Sequence, residues 1–100
     1  MAVNVGSFPV GADFDITFVL HADGSRVDLT GATVTANVAD VFTSNALTAV
    51  QAGEGEYMLT VVPSDTSARA PGTYMGSVKA VLATGEVRFW EFEMSLWEPV

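Results

Sequence analysis

The sequence predicts an all-β fold built from two antiparallel sheets packed face to face. Three observations predict it. Apolar and polar residues alternate with period two over several segments, the pattern of half-buried strands. Turn-forming pairs such as Asp-Gly, Thr-Gly and Pro-Gly separate those segments at short intervals. No segment shows the sustained 3.6-residue period of a long helix. A chain of 100 residues matches one ordinary domain, so residues 1–100 are read as a single unit with one core.

The elements follow in chain order. The opening "MAVNVGSFPV" is β-prone and uncharged, either a first strand or an arm laid on a neighbour. In "DFDITFVLH", Phe14, Ile16, Phe18 and Leu20 share one face, and Asp13, Asp15 and Thr17 the other. Asp23-Gly24 supplies a tight turn. Val27 and Leu29 lead to Thr30-Gly31, a second turn. "ATVTANV" then alternates: Ala32, Val34, Ala36 and Val38 against Thr33, Thr35 and Asn37. Its apolar set is small, which lets a facing sheet approach closely. Residues 39–46 read as a loop with some strand, "LTAVQ" as a short strand and "AGEGE" as a turn.

"YMLTVV" puts Tyr57, Leu59 and Val61 on one face. Pro63 ends that strand. Ser64 or Asp65 is expected to cap one helical turn reaching Ala70, and Pro71-Gly72 to make the next turn. In "TYMGSVKAVLA", Tyr74, Gly76, Val78, Ala80 and Leu82 share a face. Thr84-Gly85 turns the chain into "EVRFWEFEMSLW", where Trp90, Phe92, Met94 and Leu96 face the core. Val87 and Phe89 are out of phase with them. Either a bulge near Arg88–Phe89 restores the phase, or Phe89 is exposed.

Six to eight short strands without a long helix make an immunoglobulin-like sandwich of about seven strands. The cysteine count is zero, so the fold has no disulfide, and thiolate metal sites and Cys nucleophiles are excluded. The opening stretch has no basic region followed by an apolar run, so no signal peptide is expected. No segment approaches the about 20 apolar residues of a membrane helix.

Charge narrows the function classes. Twelve acidic and four basic residues give a net charge of −8. Arg26, Arg69, Lys79 and Arg88 cannot form a basic patch, and nucleic-acid binding is not expected on that ground. Charged residues make up 16% of the chain, against about 25% in a typical soluble domain. A small domain has much surface for its volume, so uncharged residues must face outward. A surface poor in charge suits burial against other subunits.

The residues bear on three classes of site. His21 is the only histidine, and no strand-to-helix G-x-S-x-G accompanies it, so no hydrolytic triad is expected. Asp13, Asp15, Asp23, Asp28, Glu54 and Glu56 offer carboxylates, but not at EF-hand spacing. Trp90, Trp97, Phe89 and Phe42 are candidates for a sugar platform. Trp90 reads as core, and a terminal Trp97 suits a subunit contact better. The expectation is a binding protein, not an enzyme, with no metal and no cofactor. Its interface residues are expected to be Val3, Val5, Phe8, Phe42, Phe89 and Trp97. Asp28, Leu29, Thr30 and Gly31 are expected to brace one turn, and Pro71 and Gly72 another. Asp28 and Thr30 can bond nearby backbone groups, Leu29 can plug the core, and Gly31 permits a positive φ.

Four features carry a resemblance: Gly24 with Asp28-Leu29-Thr30-Gly31 (G-x-x-x-DLTG), Gly55 with Tyr57 and Leu59 (G-x-Y-x-L), Pro71-Gly72-Thr73-Tyr74 (PGTY), and the strand "VGADFDITFVL". Together they make the chain resemble small immunoglobulin-like modules of tailed-bacteriophage virions. It is most similar to the N-terminal domain of upper-baseplate and receptor-binding-protein adaptors. In that family the domain begins a longer protein, whereas this chain stops at Val100. The resemblance and the length imply a capsid cement or decoration protein of the virion, assembled in the host cytoplasm. Its partners are then virion subunits and copies of itself, with no nucleic acid and no membrane. A baseplate or tail-fibre attachment module is the alternative, and a carbohydrate-binding sandwich a second one.

Overall fold

The alternation in residues 13–20 becomes a strand with Ile16, Phe18 and Leu20 buried and Asp13, Asp15 and Thr17 in solvent. The structure is a computed structural model that describes residues 3–22 and 24–98, the Val3 side chain excepted. Its strands are β1 (Val3–Pro9), β2 (Phe14–Val19), β3 (His21–Ala22), β4 (Ser25–Arg26), β5 (Thr33–Val38), β6 (Phe42–Ala46), β7 (Thr48–Gln51), β8 (Glu56–Val61), β9 (Gly72–Val81) and β10 (Val87–Trp97).

Eight of these strands form the two layers. One sheet runs β1-β10-β9-β5-β6 and the other β2-β8-β7, while β3 and β4 make a small separate hairpin. This is an immunoglobulin-like sandwich. Strands β2, β5, β6, β7, β8, β9 and β10 occupy the places lettered B, C, C′, D, E, F and G in such domains. The pairs are antiparallel apart from β1, which lies parallel to β10. The opening segment is thus the first strand of its own sheet.

The core lies between the layers. Leu59 and Val61 from one sheet share one buried cluster with Val38, Val78 and Met94 from the other, all fully buried. Phe18 meets Phe92 edge-on across the gap, with ring centroids 5.0 Å apart. Phe92 lies opposite Gly76 on the neighbouring strand. A Cβ at position 76 would stand 2.5 Å from the Phe92 ring, so this close approach requires glycine. At one end of the sandwich Phe8 stacks on Phe14 at 4.3 Å.

The expected brace at 28–31 forms as read. Asp28 Oδ1 accepts the Thr30 N–H (3.0 Å) and the Thr30 hydroxyl (2.7 Å). Gly31 has φ +81°, and Leu29 is fully buried. These two hydrogen bonds, the hydroxyl first, hold the Asp28 carboxyl below its ordinary pKa. Tyr57 completes the corner: its hydroxyl donates to the Leu29 carbonyl (3.2 Å). Burial, with the Asp28 carboxylate adding, raises the Tyr57 pKa.

Three local expectations need correction or placing. No bulge interrupts Arg88–Phe89; the β9–β10 register is continuous from Val87 to Leu96, so Phe89 faces solvent. The helical turn spans Pro63–Thr66 and does not reach Ala70. Proline suits its first position because no helical donor is needed there. Asp65 caps it by accepting the Val62 N–H (3.1 Å), and Ser64 makes no capping bond. The β3–β4 hairpin contains Gly24 at φ +80°; Asp23 lies outside the described residues.

Pro71 precedes Gly72, which opens β9. The Tyr74 hydroxyl then donates back to the Ala70 carbonyl (2.6 Å). This is the tyrosine corner of immunoglobulin-like domains, at its usual place near the start of the F strand.

Candidate functional site

Strands β9 and β10 are 10 and 11 residues long. Their inward phase fills the core, so their outward phase is fixed by geometry. On β10 it carries Val87, Phe89, Glu91, Glu93, Ser95 and Trp97; on β9, Thr73, Met75, Ser77, Lys79 and Val81. Strand β5 extends the face with Thr33, Thr35 and Asn37.

This outer face holds four of the seven large apolar residues exposed among those described: Met75 (48%), Val87 (44%), Phe89 (65%) and Trp97 (47%). Val87 pairs with Val81 across the strands, and Phe89 with Lys79. The rest of the face is mostly hydroxyl and amide. Asn4 Nδ2 donates to Glu93 Oε1 (3.3 Å), and Thr73 and Ser95 bond through their hydroxyls (3.3 Å). Lys79 is its single cation, with Glu91 diagonal to it on β10 and Glu93 one residue pair further along the same face.

The expected interface residues divide. Phe89 and Trp97 stand exposed on this face. Val5, Phe8 and Phe42 are half-buried and packed against the core. The side chain of Val3 lies outside the described residues. Met75, Val81 and Val87 belong to the face but were not among the expected residues. Their signal was available: each is apolar and out of phase with the core set of its own strand.

The candidates for chemistry scatter. His21 is exposed, and its Nδ1 donates to the Val19 carbonyl (3.1 Å). Among the described residues no three His, Asp or Glu side chains converge as metal ligands. No helix there is long and apolar enough to cross a membrane. Trp90 is half-buried and its Nε1 donates to the His21 carbonyl (2.8 Å). Phe89 and Trp97 sit eight positions apart on one strand, about 26 Å, far beyond the span of one sugar ring.

Five strands about 4.8 Å apart and up to about 33 Å long present a face on the order of 600–800 Å2. One side of a standard protein–protein interface covers about 800 Å2. The face therefore has the size and the composition of a docking surface. No known protein family, curated protein or solved structure matches the chain.

Proposed function

We propose that this chain is a structural protein of a bacteriophage virion, a capsid cement or decoration subunit. It acts by docking the outer face of its five-stranded sheet on neighbouring subunits, copies of itself included. It works by binding and catalyses nothing. The observation that carries the docking is the gathering of Met75, Val87, Phe89 and Trp97 on one sheet face otherwise lined by hydroxyls and amides. The virion assignment rests on the resemblance of the Asp28–Gly31 and Pro71–Tyr74 segments, both of which brace turns of the sandwich. Attachment to a baseplate or tail fibre uses the same face and differs only in the partner.

Phe89→Glu tests the proposal. Phe89 is 65% exposed, so the substitution leaves the melting temperature nearly unchanged. Sedimentation velocity is expected to show oligomers of the unmodified protein and monomers of the variant. The variant is also expected to lose co-purification with virions. An unmodified protein that stays monomeric and never accompanies virions overturns the reading. Cryo-EM of decorated particles places the density on shell or tail.

A further inference from the structure

Strand β2 leaves one of its two edges unpaired. It bonds β8 alone, in unbroken register from Phe14–Val61 to Val19–Glu56. The bond from the Leu20 N–H to the Gly55 carbonyl (2.9 Å) continues that ladder. Even-numbered residues of β2 therefore bond β8, and the backbone groups of Asp15 and Thr17 and the N–H of Val19 face the open side, the Val19 carbonyl being held by His21 Nδ1. The other free edges are broken up. β1 bulges between Asn4 and Ser7 and ends in Pro9, while β6 and β7 shift register against their partners. Of the four edges of the two layers, that of β2 is the one in unbroken register among the described residues.

A cleft opens beside that edge. β1 and β2 are held together at one end by the Phe8–Phe14 stack and part toward the other. The gap is about 260 Å3, walled by Val5, Phe18 and Trp90 and floored by Val78 and Phe92. Small-molecule sites run about 300–1,000 Å3, so this volume suits one or two side chains of a peptide better. It lies where a further strand of the β2-β8-β7 sheet would place its inward side chains.

Charge selects the occupant. Asp15 projects from the solvent face of β2, Asp13 is exposed just before the strand, and Glu91 is at the cleft margin. None of the four basic residues lines the cleft. A strand laid on this edge places its outward side chains about 5 Å from those of β2. Acidic residues are repelled there, and with them most of a chain of net charge −8.

We propose that the free edge of β2 and its cleft accept one extended segment of another protein, apolar at alternate positions and basic at those between. Backbone bonds to Asp15, Thr17 and Val19 supply affinity, the cleft reads the apolar positions, and the carboxylates select lysine or arginine. The site shares only Glu91 with the outer face of the five-stranded sheet, and Phe89 lies outside it, so either can fail alone.

The probe is a labelled octapeptide of alternating valine and lysine. A peptide with the same residues in two blocks controls for charge alone. Fluorescence polarisation is expected to show saturable binding, at least tenfold tighter for the alternating peptide. Hydrogen exchange is expected to slow at the amides of Asp15, Thr17 and Val19. Thr17→Pro removes an edge donor that no partner in the sheet uses, a replacement edge strands tolerate, and is expected to abolish binding. Asp15→Lys, a surface change that leaves the fold intact, is expected to shift preference toward a valine–glutamate peptide. Phe89→Glu should leave peptide binding unchanged. Equal binding of both lysine peptides, or protection on another edge, overturns the proposal. So does self-association abolished by Thr17→Pro, which would make the occupant a second copy.

Discussion

At the scale of single residues, stability is concentrated where two constraints meet at one atom. Tyr57 is buried and its hydroxyl holds the Leu29 carbonyl, which also accepts the Ala32 N–H (2.9 Å). Tyr57→Phe therefore costs about 1 kcal/mol and not the larger penalty of an orphaned carbonyl. The sign of its pH dependence follows from the raised pKa. The folded state keeps the phenol proton at pH values where the unfolded chain, with its ordinary value near 10, has released it. Stability is then whole below pH 10 and falls as the pH rises toward the folded-state value. Urea titrations at pH 9 and pH 11 should show that loss in the unmodified protein and a smaller one in Tyr57→Phe. Gly76 presents the other constraint. Gly76→Ala drives a methyl into the Phe92 ring and should destabilise by about 1–3 kcal/mol. Thermal melts check it, and Phe92→Leu in the same chain should recover part of the loss. The Asp28–Gly31 brace was legible in the sequence because its bonds are local, two residues apart at most. The Gly76–Phe92 approach was not, because it joins residues from two strands whose register no single segment records.

At the scale of elements, the strands were legible wherever burial is one-sided. Alternation marked β2, β5, β8, β9 and β10, and each turns the residues its period assigns toward the core, although Phe14, Ala32, Tyr74, Leu82 and Trp90 at the strand ends and sheet margins are only half-buried. β6 was harder to read, since Phe42 and Asn45 are only half-buried and no clean period survives. Ser44, with φ +54°, also bends it, its N–H bonded to the Asn37 side chain. The phase break at Val87 and Phe89 has no backbone irregularity behind it. Two apolar residues simply take the solvent face, a choice that sequence period cannot separate from a bulge. The connection from β8 to β9 is fixed by side chains on irregular backbone. Thr66, fully buried in the helical turn, accepts the Gly11 N–H (2.9 Å), and Tyr74 reaches back to Ala70. Tyr74→Phe should cost about 0.5–1.5 kcal/mol and leave the strands in place. The expected signature is a lower urea midpoint with an unchanged m-value and faster amide exchange confined to residues 67–72.

At the scale of the whole molecule, charge is sparse, acidic and unevenly placed. Residues 1–12 and 41–53 contain no charged side chain, and they supply β1, β6 and β7. Three of the four edges of the two layers are thus free of charge, and irregular backbone rather than lysine guards them. Which strand lies at an edge was not legible, because strand order is set by non-local pairing. The deficit of charge was legible, and the structure gives it a location. Copies that meet through the five-stranded face must overcome mutual repulsion, since each carries −8. The molecule measures 45 × 24 × 20 Å. The screening length is about 30 Å at 0.01 M salt and about 8 Å at 0.15 M. At low salt the repulsion spans an entire neighbouring copy; at physiological salt only facing groups feel each other. Contact between Phe89, Val87 and Met75 is not screened. Self-association should therefore strengthen severalfold as sodium chloride rises from 10 to 150 mM, measured by sedimentation equilibrium. Weakening over that range would mean that ion pairs of Lys79 with Glu91 or Glu93 hold the copies together, and the apolar face would lose its role.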